Sequence, residues 1–291
     1  GEPPKVEKLI KKYNIKYSFF EWRNDFAAAR TFNFKQASGD FIFWVDVDDA
    51  VVNSHLLKAY CHRMGKEHID GIILDYLFSF DAYGYCNTRH KKLRLIKAEA
   101  FRDGSYYWGG QIHEDIMPQR ETHQVFVQDM EIKHIKNLEN TEFAGKKEID
   151  LTRRSSLRNL KIAKAIYKED KKDPRHLFNL INAYFGTEKW VKVMHYGRLF
   201  LEKSLSDMEK YSIWIRIGDA FFNLDDKESA INCYENCLTI APWLPDGYLS
   251  LARAYFVLNK IQHSKEFALD CLRKAATGKH TYEMIAWNPR E

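Results

Sequence analysis

No apolar run in these 291 residues approaches the roughly 18–20 that a membrane span needs. No secretory leader is visible either. Cysteine is sparse: Cys61, Cys86, Cys233, Cys237 and Cys271 are odd in number and form neither a disulfide framework nor a metal-knuckle spacing. That pattern suits a reducing, cytoplasmic setting; Cys233 and Cys237, four apart on an expected helix, read as core. A strong excess of charge is missing too. The net charge is +5, and lysines are scattered among acids, as in "KEDKKD" (168–173). Solvated faces explain them better than a nucleic-acid surface, although a mild positive field favours an anionic small substrate. What is present is a globular composition, 45% hydrophobic and 29% charged, long enough for two domains with a core each.

The two halves differ in texture. Up to about residue 140, short apolar runs alternate with helical stretches. "KVEKLIKKYN", "NDFAAARTFNFKQAS" and "SHLLKAYCHRMGKE" read as helices, with Gly39 near the end of the second. "IKYSFFEW", "DFIFWVDVDD" and "IDGIILDYLFSF" read as strands. The alternation predicts an α/β domain with a largely parallel sheet. From about 150 onward nearly everything reads as helix, so the expected fold class is α/β followed by all-α.

A repeat runs through the second half. Trp214, Ile217, Gly218, Phe221, Ala230, Tyr234, Cys237 and Pro242 fit the tetratricopeptide pattern. Thirty-four residues later, the period of that helix-turn-helix unit, Tyr248, Leu251, Ala252, Tyr255, Ser264, Ala268 and Cys271 take the same places. A weaker copy passes through Phe178, Ile181, Asn182, Phe185, Met194, Arg198 and Leu201. A small residue at Gly218 or Ala252 lets a paired helix approach closely, and large residues fill the groove between repeats.

The chemistry concentrates at "SGDFIFWVDVDDAVV" (38–52), where an apolar run meets Asp46, Asp48 and Asp49. Ligands of open α/β sheets sit at carboxyl ends of strands. Crowded carboxylates raise one another's pKa unless a cation neutralises them. A hard ion, Mg²⁺ or Mn²⁺, shared with substrate phosphates is the matching partner. The competing reading is a loop of solvated or helix-capping acids, with Asp49 the first choice for a mere cap.

The stretch "EWRNDFAAARTFNFKQASGDFIFWVDVDD" resembles the GT-A-type family 2 glycosyltransferases, and within them the bacterial branch that carries tetratricopeptide repeats. "WGGQIHED" (108–115), "KKLRLIK" (91–97) and "EIKHIKN" (131–137) match that branch's later elements in order. Peptide S-glycosyltransferases are similar in plan. The resemblance implies an inverting, metal-dependent transfer from a nucleotide-sugar, UDP-sugar first, to a peptide, protein or glycan, with a protein partner on the repeats. It assigns Asp25, Arg30, Asp46, Arg94 and Trp108 to the donor, and Asp48 and His134 to Mn²⁺ or Mg²⁺. Glu114 becomes the catalytic base, with Asp115 second. Against these stand plain alternatives: a surface ion pair for Asp25 and Arg30, a core aromatic for Trp108, surface charge for the His-Glu-Asp run, and a structural His134. The family's opening strands have no counterpart after Gly1, so an N-terminally incomplete GT-A-type domain is expected over 1–145. A connecting helix over 146–174 and repeats over 175–291 follow. The rival function is a non-catalytic interaction module built on the repeats.

Overall fold

The computed structural model describes residues 4–80, 84, 86–135 and 145–276. The chain divides into two compact units, Gly1–Glu139 and Asn140–Glu291.

The first unit carries α1 (Pro4–Tyr13), α2 (Phe26–Phe34), β1 (Phe41–Phe43), β2 (Asp49–Val52), α3 (Leu57–Lys66), β3 (Gly71–Phe80) and β4 (Cys86–Lys97). They are followed by α4 (Ala98–Arg102), β5 (Tyr106–Gly109), β6 (Asp115–Pro118) and β7 (Gln124–His134). Five strands form one sheet in the order β1-β4-β3-β7-β2, and β5 pairs with β6 separately. The sheet is mixed, not largely parallel: only β3 and β7 run parallel, and the other three pairings are antiparallel. β3 and β4 are consecutive strands whose connection is too short for a crossover, so they pair as a hairpin. "IKYSFFEW" forms no strand. Its Ile15, Tyr17 and Phe19 are exposed rather than paired into the sheet. α2 ends at Phe34 with Lys35 as its C-cap, so Gly39 shapes the next bend instead of the helix end.

Each sheet face buries a cluster. Tyr60 and Met64 of α3 pack on Ile72, Leu74, Tyr76, Leu95 and Ile132. Phe34 of α2 packs with Ile42, Leu93, Ile96, Tyr106 and Trp108 on the other side. Leu93 and Leu95 would share a face in a regular strand. They do not, because pairing jumps from Ile72↔Leu95 to Ile73↔Leu93 and leaves Arg94 as the extra residue of a β-bulge.

The second unit is helical: α5 (Gly145–Glu169), α6 (Pro174–Phe185), α7 (Trp190–Lys203), α8 (Asp207–Asn223), α9 (Lys227–Ile240), α10 (Pro245–Val257) and α11 (Ile261–Ala276). Helices α6 to α11 form three pairs joined by short turns. The turns of the last two pairs hold Asp225 and Asn259, one period apart, in the left-handed region (φ 69° and 56°). Asp173, Ser206 and Asp226 start α6, α8 and α9 by accepting backbone N–H groups. The stretch 277–291, expected to continue the repeats, lies outside the described residues. Among the described residues no helix is long and apolar enough to cross a membrane.

Candidate active site

The acid-rich segment begins where β1 ends. Trp44 still follows β4: its backbone N–H donates to Arg94 O (3.1 Å) and its indole N–H to Leu93 O (2.9 Å). Asp46 and Asp49 then close a turn. Asp49 N–H donates to Asp46 O (3.1 Å), and Asp46 N–H to Asp49 Oδ2 (2.9 Å). β2 follows at once, with Asp49 paired to His134 of β7. Because β1 and β2 lie at opposite edges of the sheet, residues 44–48 cross between the edges instead of merely terminating a strand.

Two arginines keep the three carboxylates apart. Asp46 Oδ1 lies 2.5 Å from Arg30 Nη1. Asp49 Oδ2 lies 3.6 Å from Arg94 Nη1, with both side chains out of solvent. Asp48 has neither arginine; its carboxylate is 38% exposed and 3.8 Å from His134 Nδ1. It is the acid of this turn most available to a ligand.

Arg30 also reaches Glu114, with Nε 3.2 Å from Oε1. Its guanidinium lies over the Trp44 ring (4.8 Å) and near Trp108 (5.7 Å). Burial pulls its pKa down, but hydrogen bonds and charge from Asp46 and Glu114 outweigh it and leave it above its ordinary value. The Glu114 loop is held in shape by two left-handed residues, Gly110 (φ 83°) and His113 (φ 54°), and by Phe26 N–H donating to Gln111 O (3.0 Å). A Cβ at Gly110 would sit 3.1 Å from Ile112 O, so glycine suits both the angle and the space. The loop thus brings Glu114 to the arginine that holds Asp46.

Other expected site residues land elsewhere. Asp25 is the N-cap of α2 and accepts Ala28 N–H at 2.8 Å; it makes no ion pair with Arg30. Arg94, expected at the donor, is 2% exposed. Its guanidinium is sandwiched between Trp44 (3.7 Å) and Tyr76 (4.4 Å), and its Nε has no hydrogen-bond partner. Burial is the main force lowering its pKa, opposed by Asp49 and Asp46. The bulge turns it into the core, where it faces Asp49. Trp108 is likewise a core aromatic, edge-on to Phe34 and Trp44. Asp115 starts β6 and pairs with Lys92 Nζ at 2.7 Å, so it is engaged away from Arg30. His134 stacks on Phe78 (5.5 Å, 8° between planes), and its Nδ1 lies 3.2 Å from Asp49 Oδ1 and 3.1 Å from Tyr76 Oη.

The residue sequence reasoning misplaced is Asp49. It caps no helix; it is the hub of a buried network with Arg94, Tyr76 and His134. Asp48, Asp49 and His134 offer ligand atoms within 4.8 Å of one another. Two carboxylates and an imidazole are an oxygen-and-nitrogen donor set that fits Mn²⁺ or Mg²⁺.

Comparison with known families bears on this geometry. Residues 1–118 match the model of glycosyl transferase family 2, and residues 211–242 match a tetratricopeptide repeat. The first of these matches lies within the first unit and supports a glycosyltransferase-type domain there. Tetratricopeptide repeats follow it. Among solved structures, the chain shows similarity to MamA MSR-1, with 13% identity, TM-score 0.38, and 42% of this chain and 69% of that one covered. It also shows similarity to MamA from Desulfovibrio magneticus RS-1, with 16% identity, TM-score 0.36, and 45% and 77% covered. Scores this low carry no argument about the chain. No curated protein matches it.

Proposed function

We propose that the protein is an inverting, metal-dependent glycosyltransferase that moves a sugar from a nucleotide-sugar, UDP-sugar first among donors, to a peptide, protein or glycan. The observation that carries this reading is the convergence on Arg30. One guanidinium holds Asp46, beside the candidate metal ligands Asp48 and His134, and also holds Glu114, the candidate base. Inverting transfer uses a carboxylate for the acceptor proton and a separate charged group at the departing diphosphate.

In this reading Glu114 takes the proton while the acceptor's oxygen, sulfur or nitrogen attacks the anomeric carbon. The bond from that carbon to the diphosphate breaks, and the nucleoside diphosphate leaves with its electron pair. Mn²⁺ or Mg²⁺, when bound by Asp48 and His134, neutralises charge on the diphosphate. Asp46 and Arg30 face the donor, and Arg30 keeps Glu114 in place until the diphosphate competes for its fork. Asp115, tied to Lys92, is a neighbour of the base. The repeats hold the acceptor or a protein partner, and free cysteines fit a cytoplasmic setting.

Asp48→Asn and Glu114→Gln separate the roles. Asp48→Asn should weaken Mn²⁺ and nucleotide binding together in calorimetry. Glu114→Gln should leave donor affinity within a few-fold and cut turnover by roughly 10²–10⁴. Unchanged metal-dependent nucleotide affinity in the first, or near-parental turnover in the second, would remove that residue's role. A second reading, a non-catalytic module, is favoured by one observation. Asp25, Arg94 and Trp108, three of the five residues expected at the donor, serve as a cap or as core. It predicts no donor hydrolysis with Mn²⁺.

A further inference from the structure

We propose that Trp44 is the positioning residue of the Arg30 fork: the face of its indole ring carries the Arg30 guanidinium and sets where that fork meets Asp46 and Glu114. The inference rests on the reading of Arg30 as a donor-facing group and goes beyond it by naming what aims that group.

Trp44 is itself held from several sides. The β1–β4 register ends at Phe43↔Leu95, and its next step sets Trp44 opposite Arg94, which puts both side chains on one side of the sheet. The bulge at Arg94 disturbs the ladder toward β3, and Trp44 takes the carbonyls beside it. Its backbone N–H donates to Arg94 O (3.1 Å), and its indole N–H donates to Leu93 O (2.9 Å). The Arg94 guanidinium lies 3.7 Å from the ring centroid, and Trp108 meets the ring edge-on at 4.9 Å. Two hydrogen bonds and two ring contacts leave the indole little freedom to swing.

Arg30 needs such a guide. Its long side chain has many rotamers, and holding it in one of them costs entropy. Its fork reaches two carboxylates on different segments: Nη1 lies 2.5 Å from Asp46 Oδ1, and Nε lies 3.2 Å from Glu114 Oε1. Two anions alone do not fix this split. An arginine left to itself favours giving two nitrogens to one carboxylate, a bidentate pair that either acid can accept. Here the guanidinium is shared instead, and it lies over the Trp44 ring at 4.8 Å and near Trp108 at 5.7 Å. The attraction of a ring face for a cation is electrostatic and has little direction within the plane. The ring therefore fixes the height of the fork and lets it slide toward an incoming anion.

One ring thus carries both arginines that hold the acid turn, Arg94 beside Asp49 and Arg30 beside Asp46. The competing role for Trp44 is packing, since it also lies against the cluster of Phe34 and Trp108. The two roles ask for different things. Packing needs volume, whereas positioning needs the negative face of an aromatic ring. Phenylalanine keeps the face and gives up the bond to Leu93 O; leucine gives up both. Tetrafluorotryptophan keeps the shape and the indole N–H but drains the face of charge.

The test follows the Arg30 Nε–H signal by ¹⁵N NMR in the ligand-free full chain, assigned with Arg30→Lys, alongside UDP affinity measured by calorimetry with Mn²⁺ present. The parent should show that signal shifted by the ring and protected from exchange. Trp44→Phe should keep it and hold UDP affinity within about threefold. Trp44→Leu should lose it and weaken UDP binding by roughly tenfold, within the range of a cation–π contact. Trp44 replaced by tetrafluorotryptophan should behave like Trp44→Leu, and it decides the case if the leucine variant does not fold. A parental Arg30 signal in the leucine or fluorinated protein overturns the proposal. So does a Trp44→Phe protein that loses the signal as the leucine variant does, because packing or the indole N–H is then what matters. A parent that shows the signal and binds no UDP overturns the donor reading of Arg30 instead, and the two readouts tell these failures apart.

Discussion

Arg30 and Arg94 are the same side chain beside the same kind of partner, and burial decides what each can do. The Arg30 side chain is 26% exposed, and its two carboxylates win over desolvation. Arg94 is 2% exposed, and desolvation wins over Asp49 and Asp46. The first can exchange a partner for an incoming anion; the second can only brace the turn. His90, on the same strand as Arg94, gives a pH prediction. Burial first and Lys92 second lower its pKa below the ordinary 6.5, with Asp115 opposing. An unfolded chain then binds the proton more readily than the folded one. Its contribution is complete above 6.5 and is lost as the pH falls from there through the lowered folded value. His90→Gln should therefore show a shallower loss of urea midpoint between about pH 7.5 and 5.5 than the parent; equal losses would deny His90 the effect. That Arg30, Asp46, Asp48, Glu114 and His134 lie near one another was legible, because motif order and spacing set which segments meet. Asp49 and Arg94 were not, because what assigns them is burial, and the bulge that turns Arg94 inward leaves no mark in a run such as "KKLRLIK".

At the scale of elements, period-34 spacing was more informative than strand alternation. The helix pairs of the second unit could be read because packing positions such as Gly218 and Ala252 recur one period apart; the turns at Asp225 and Asn259 follow the same spacing. Strand direction could not, since apolar runs do not encode which neighbour they pair with. "IKYSFFEW" alternates like a strand yet has no ladder among the described residues. The repeat also shows how size is shared between helices. A Cβ at Gly218 would lie 2.4 Å from Tyr234 Cε1, so α8 and α9 meet with no room to spare. One period on, Ala252 replaces Gly218 and Ala268 replaces Tyr234: the larger residue on one helix is matched by a smaller one on the other. Gly218→Ala should accordingly lower stability by about 1–3 kcal/mol despite alanine's better helix propensity. Urea denaturation followed by circular dichroism measures it. A neutral or stabilising result would mean that Tyr234 moves aside freely and that the close approach is not what glycine is there for.

For the whole molecule the relevant fact is that, among the described residues, the two clusters of the sheet unit and the two around Tyr234 and Cys237 each draw on one unit. The clusters around Ile72 and Trp108 draw on residues between Ala27 and Ile132. Those around Tyr234 and Cys237 draw on residues between Met208 and Phe267. Chemistry is divided the same way: the candidate metal ligands and base belong to the first unit, and the tetratricopeptide match belongs to the second. Two self-contained cores predict two unfolding transitions that can be moved separately. Mn²⁺ binds only the folded form of the first unit on the reading above, so it should raise that transition, by about 2.7 kcal/mol at a hundredfold excess over its dissociation constant. It should leave the other where it was. Gly218→Ala should do the reverse, lowering the transition dominated by helical signal and sparing the metal-sensitive one. Calorimetric scans of the parent and the variant, each with and without Mn²⁺, give four traces. If both perturbations shift one shared transition, the units unfold together, and a change in the repeats reaches the stability of the metal-binding unit. If each shifts its own, binding at the repeats and chemistry at the acids are thermodynamically separable, and variants of either can be interpreted without correcting for the other.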